Sequence, residues 1–160
     1  MEANRKKVDL LSNGRLAYAY MPDTAGGGMA SFDRDFYSQL DKEGLVLDER
    51  FNHGGQVADY VVHVLGRRTL FRWMNREEWV SRSPFATLEG PKVMICNESA
   101  GSGGDAMPWM FQKLKLGTLV GTRTWGGLVG ISGYPPLMDG GSVTAASFGA
   151  MDPDGNWAVE

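Results

Sequence analysis

The sequence predicts an α/β domain with a largely parallel sheet flanked by helices, and three observations lead there. Short, uniformly apolar runs, LVLD after Gly44 and KVMIC from Lys92, have the length and lack of alternation of strands covered on both faces. Amphipathic helical patterns separate such runs, and glycine-rich turns stand at the junctions. Strands alternating with helices give a parallel sheet.

Taken in order, RLAYAYM at 15–21 lies between the turn signals Asn13-Gly14 and Pro22-Asp23 and reads as a strand, with 8–11 as its expected hairpin partner. GGG at 26–28 reads as a flexible break. From Ser31 to Leu40, Phe32, Phe36, Tyr37 and Leu40 fall at helical spacing, with Asp33 and Asp35 early in the helix. A strand follows Gly44, and a second helix runs from about Gln56 to Leu65 and ends at Gly66. The stretch 67–91 has weak periodicity and reads as strand leading to loop. After the strand KVMIC, the pattern of Met107, Met110, Phe111, Leu114 and Leu116 is helical, and Pro108 requires that helix to start near Ser102 or Gly103. Short strands are expected at 118–121, 128–131, 143–148 and 157–159.

At 160 residues, 42% hydrophobic and 22% charged, the chain has the size and balance of a single domain spanning 1–160. The net charge of −3 is interspersed, with no basic stripe, so nucleic acid is not an expected partner. No window approaches the roughly 18 consecutive apolar residues of a membrane span, and the N-terminal segment lacks the apolar middle of a secretory signal. A cytoplasmic location is expected, with no cofactor, metal or membrane partner. The one cysteine, Cys96, lies in an apolar run and reads as a buried thiol. The chain stops directly after a strand-like WAV and reads as a piece of a larger protein.

The 22 glycines cluster in three windows that could carry chemistry. NESAGSGGD at 97–105 joins a buried strand to a helix. A serine there either caps the helix, the commoner role, or projects its hydroxyl beside helix N–H groups that can receive an oxyanion. DERFNHGG at 48–55 follows another buried strand; its paired glycines offer backbone N–H groups, while Asp48, Arg50 and Asn52 read as a structural ion pair and caps. GTRTWGGLVG at 121–130 is either a tight turn or a place for an extended peptide to lie against the chain.

The three windows, in this order and at these separations, resemble the core peptidase domain of the tricorn-type serine peptidases of family S41, in the clan of the C-terminal processing peptidases. The resemblance covers nearly the whole chain. It implies the spiral α/β core shared with Clp proteases and crotonases, hydrolysis of peptides through an acyl-enzyme, and a hexamer in the full-length protein. It places the nucleophile at Ser102 and the oxyanion donors at the backbone N–H groups of Gly103 and of Gly55 or Gly54, with Gly55 preferred by its spacing from Ser102. Ala158-Val159-Glu160 matches the segment whose glutamate orients the catalytic histidine, which makes Glu160 a candidate catalytic residue. The family's general base is a histidine upstream of the core, and neither His53 nor His63 fits that position; both read as packing or solvent-facing side chains, His53 with a lesser role as a substrate contact. The isolated chain is therefore expected to have little or no activity. Two rival readings use the same scaffold: a non-catalytic ligand-binding module, and a hydratase-like enzyme acting on a coenzyme A thioester, for which no adenine or pyrophosphate site is seen.

Overall fold

The computed structural model describes residues 2–132 and 134–158. The chain opens with helix α1 (Glu2–Leu11), where a hairpin strand was expected. Glu2, Arg5, Lys6, Lys7, Leu10 and Leu11 are helix formers without branching at Cβ, and the positive φ of Asn13 (52°) and Gly14 (75°) ends the helix, with the Gly14 N–H donating to the Asp9 carbonyl at 2.8 Å. None of its residues is buried. Strand β1 (Leu16–Tyr20) follows as expected.

Helix α2 (Gly26–Tyr37) begins inside the glycine run that reads as flexible. Asp23 explains the difference: its Oδ1 accepts the N–H groups of Ala25 (2.9 Å) and Gly28 (2.7 Å), anchoring the first turn. A Cβ on Gly28 would lie 1.7 Å from the Asp23 carbonyl oxygen, so close approach of the chain requires glycine there. Strand β2 (Gly44–Asp48) and helix α3 (Ala58–Leu65) match the reading closely. Between α3 and the next core strand, β3 (Phe71–Met74) and β4 (Val80–Ser83) form an antiparallel hairpin within the stretch of weak periodicity. Phe71, Trp73, Met74 and Trp79 on this arm are exposed, which is why no burial pattern marks it in sequence.

Strand β5 (Lys92–Cys96), helix α4 (Gly103–Lys113) and strand β6 (Thr118–Gly121) complete the core. Helix α4 starts at Gly103, near the expected point, yet Pro108 sits in its second turn, where it leaves the Gly104 carbonyl without a helical donor. Strands β7 (Val129–Ile131) and β8 (Ala146–Gly149) pair antiparallel outside the main sheet. Of the strand expected at 157–159, Trp157 forms an isolated bridge with Met151, Ala158 is not in a strand, and residue 159 lies outside the described residues.

The main sheet is parallel throughout, in the order β1-β2-β5-β6, with Leu16 opposite Gly44, Leu45 opposite Lys92 and Val93 opposite Thr118. Phe32 and Phe36 of α2 stack at 5.1 Å between centroids and join Leu45, Leu47, Val61, Met94, Met107 and Phe111 in one apolar core. This order brings four loops to one sheet edge, those after the C-terminal ends of β1, β2, β5 and β6, where α/β proteins bind ligands. Among the described residues no helix is long and apolar enough to cross a membrane.

Candidate active site

Ser102 stands between β5 and the first residue of α4, at the position of a helix cap, but its side chain makes no capping hydrogen bond. Its backbone, at φ 55° and ψ −112°, is in a region that a residue with a Cβ seldom occupies, at a cost on the order of 1–3 kcal/mol. Strain on a serine between strand and helix, as in a nucleophile elbow, thrusts the hydroxyl out of the fold, and Ser102 is exposed. The surroundings hold this geometry in place: the Gly101 N–H donates to the Asn52 carbonyl (3.0 Å), while the Asp105 and Ala106 N–H groups donate to the Ser102 carbonyl (2.9 and 3.0 Å).

The loop after β2 packs directly on this turn. Gly54 (φ 88°) faces Ser102 so closely that a Cβ on it would lie 2.8 Å from the Ser102 Cβ and 3.2 Å from Oγ. Gly55 (φ 135°) abuts Gly103: a Cβ on Gly103 would lie 2.3 Å from the Gly55 oxygen, 2.9 Å from its nitrogen and 2.0 Å from Thr24 Oγ1. The two candidate glycines differ in their N–H groups. That of Gly54 is taken by Asn52 Oδ1 at 2.9 Å, whereas among the described residues the N–H groups of Gly55 and Gly103 have no acceptor. Both line, with Ser102, a cleft of about 210 Å³ closed on its far side by 127–130 and Phe148.

Two residues hold the site together: Asn52, read from sequence as a turn cap, and Asp105, which sequence reasoning passed over. Asn52, fully buried, bonds both loops, and Phe51 adds a second tie by donating its N–H to Asn97 Oδ1 at 2.9 Å. Asp105, also buried, accepts the N–H groups of Gly126 and Gly127, each at 2.9 Å, and so docks the third glycine window against α4 as a wall of the cleft. Asp105 lies one turn into a helix and Asn52 in a turn, where polar residues are expected at the surface; only their glycine neighbours hint at a buried backbone that needs acceptors.

Asp48 and Arg50 form the structural ion pair read from sequence, bidentate at 2.9 and 2.7 Å, with the Tyr18 hydroxyl donating to Asp48 at 2.8 Å. Burial pushes the Asp48 carboxyl up, but the bonds from Arg50 and Tyr18 outweigh it and hold the group below the ordinary carboxylate range. Cys96 is buried as expected, and burial pushes its thiol up, away from reactivity. His53 and His63 are both exposed, and among the described residues neither imidazole has a hydrogen bond to Ser102. Glu160 lies outside the described residues.

Fold and site define the class: an α/β domain of the serine-peptidase type. The chain belongs to peptidase family S41, whose model matches residues 14–160. It is similar to the tricorn protease of Thermoplasma volcanium, 37% identical over 160 residues, which is all of this chain and 16% of that protein. Among solved structures it matches the crystal structure of the tricorn protease with a TM-score of 0.87 and 37% identity, over 96% of this chain and 15% of that one. The photosystem II D1 C-terminal processing protease shares the fold at 21% identity and a TM-score of 0.56, over 89% of this chain and 39% of that one. The chain thus spans about a sixth of the length of the tricorn proteases it matches.

Proposed function

We propose that residues 1–160 act as one core domain of a serine peptidase that cleaves peptides by acyl transfer. Ser102 attacks the scissile carbonyl, and the N–H groups of Gly55 and Gly103 receive the oxyanion that forms. Gly54 is excluded as a donor, since its N–H already serves Asn52. The observation that carries the reading is the strained, uncapped Ser102 beside two N–H groups without acceptors. A serine hydroxyl is a weak nucleophile without a base. Since among the described residues neither His53 nor His63 is hydrogen-bonded to it, the proton passes to a histidine from another segment of the full-length protein, with Glu160 helping to orient it as the family resemblance implies. That resemblance also supports a cytoplasmic, hexameric assembly, in keeping with the exposed aromatic arm.

The test is labelling of the full-length protein with a serine-directed phosphonate, followed by mass spectrometry and peptide hydrolysis. The adduct is expected on Ser102, and Ser102→Ala should lose both label and turnover. A protein that binds peptides without labelling would establish the ligand-binding reading instead, and undiminished hydrolysis by Ser102→Ala would exclude Ser102 as nucleophile.

A further inference from the structure

Directly behind the loop that carries Gly54 and Gly55 lies a carboxyl group with no place in the chemistry above. Glu49, at the end of β2, is fully buried. Its Oε2 accepts the Asn52 amide Nδ2 at 3.3 Å, and its Oε1 has no partner. Asn52 uses its remaining groups on the site itself: Oδ1 on the Gly54 N–H at 2.9 Å and its backbone carbonyl on the Gly101 N–H at 3.0 Å. One residue therefore ties the oxyanion loop to the nucleophile turn, its side chain holding Gly54 and its backbone carbonyl holding Gly101, and Glu49 fixes that side chain.

We propose that Glu49 is a positioning residue for the peptidase reaction: by orienting Asn52 it holds the Gly55 and Gly103 N–H groups in register around the oxygen attacked by Ser102. The inference rests on the serine-peptidase reading. Burial favours Glu49 without charge, although the bond from Asn52 by itself favours the ionised form. The titratable groups around it are Asp105 of α4 and Asp48, the last residue of β2, both acidic, and Cys96 of β5; among the described residues no cation acts on it. Burial, partly offset by the Asn52 bond and reinforced by Asp105 and Asp48, pushes its carboxyl up to about 9. An ionised Glu49 would be a buried charge repelled by Asp105 and Asp48 and held by the single Asn52 bond; its relief is to turn toward water, which frees the Asn52 side chain and loosens its hold on Gly54 and, through the shared turn, on Gly101.

Two measurements test this. In the full-length protein, kcat should fall as pH rises through about 9. Glu49→Gln, neutral at every pH, should lack that alkaline fall, while Glu49→Ala should lower kcat at least about tenfold at all pH with little change in KM, short of the roughly hundredfold loss of a whole donor. An identical alkaline fall in Glu49→Gln, or equal kcat in the Gln and Ala variants, overturns the proposal. The second measurement is independent of activity: in the 160-residue chain the Gly54 and Gly101 amide resonances should shift together with a midpoint near 9 in the wild type and stay still in Glu49→Gln. Static amides in the wild type overturn it. Retained hydrolysis by Ser102→Ala would instead defeat the serine-peptidase reading, with the amide titration still deciding whether Glu49 sets the loop.

Discussion

Replacing Asp105 by Asn tests whether one buried carboxylate docks the wall of the cleft. The carboxylate accepts two backbone N–H groups at 2.9 Å and is 1% exposed. An amide can accept only one of them and turns its own NH2 toward the other, so a charge-assisted bond becomes a donor facing a donor. Losing such a bond costs about 1.5–3 kcal/mol and leaving a buried N–H unpaired about 1–3 more; the two overlap where the loop can adjust, and about 3 kcal/mol, near the lower end of their sum, is the expected loss. Two routes lead out of that strain. If the loop stays docked, the cost is global: with a urea slope of about 2 kcal/mol/M the midpoint falls by about 1.5 M at constant slope. If the loop lets go first, the midpoint moves less and the Gly126 and Gly127 amides lose hydrogen-exchange protection while the core strands keep theirs. In both cases phosphonate labelling of Ser102 in the full-length protein should slow, because the 127–130 wall of the cleft no longer holds. A midpoint within about 0.3 M of wild type together with unchanged protection of these two amides would refute the docking role, since a loss near 0.5 kcal/mol is typical of a surface substitution.

Gly103→Ala would place its Cβ 2.0 Å from Thr24 Oγ1 and 2.3 Å from the Gly55 oxygen, so the two amides must separate; labelling and turnover should fall at least about a hundredfold, as for the loss of an oxyanion donor. A variant within threefold of wild type, to take roughly 0.7 kcal/mol as the limit, would remove Gly103 from the site. Arg50→Ala tests acid stability. Because the folded Asp48 carboxyl sits below its unfolded value, the pair stabilises the fold above pH about 3.8, and that contribution is lost as pH falls through the lower folded value. Without Arg50 the carboxyl rises and the contribution goes, so the midpoint of acid unfolding, followed by circular dichroism, should move to higher pH; no movement would show the pair to be energetically idle.

Much of this fold is legible in the residues because burial leaves a pattern. LVLD and KVMIC are short apolar runs that read as strands without any partner in view, although only one face, that of Leu45, Leu47 and Met94, is fully buried while Val46, Val93 and Ile95 on the other are half-buried; the stripe of Val57, Val61, Val64 and Leu65 announces a helix. Elements that bury little are hidden: α1 has no buried residue, and the arm at 71–83 is exposed. The glycine run at 26–28 misleads for a different reason. Glycine signals flexibility only if nothing fills the space it leaves, and here the Asp23 carbonyl does. The site divides in the same way. Ser102 and the paired glycines stand out as motifs, whereas the choice of Gly55 over Gly54 depends on which N–H is already bonded, a fact about Asn52 that no local pattern carries.

The residues that shape the site also cost the fold stability, and the two facts belong together. Ser102 holds a strained backbone, Glu49 buries a carboxyl oxygen without a partner, and Thr24 buries a hydroxyl without one beside Gly103. All three lie at the C-terminal edge of the sheet, while the apolar core beneath them, from Phe32 to Phe111, has its large side chains fully buried. Strain of this kind persists only where the surroundings over-determine the geometry. Here Asn52 and Asp105 do so, each with two bonds to backbone groups of the loops around Ser102. Substitutions that relax the edge, such as a neutral residue at 49, should therefore raise stability at alkaline pH, whereas those that remove Asn52 or Asp105 should lower stability and loosen the site at once.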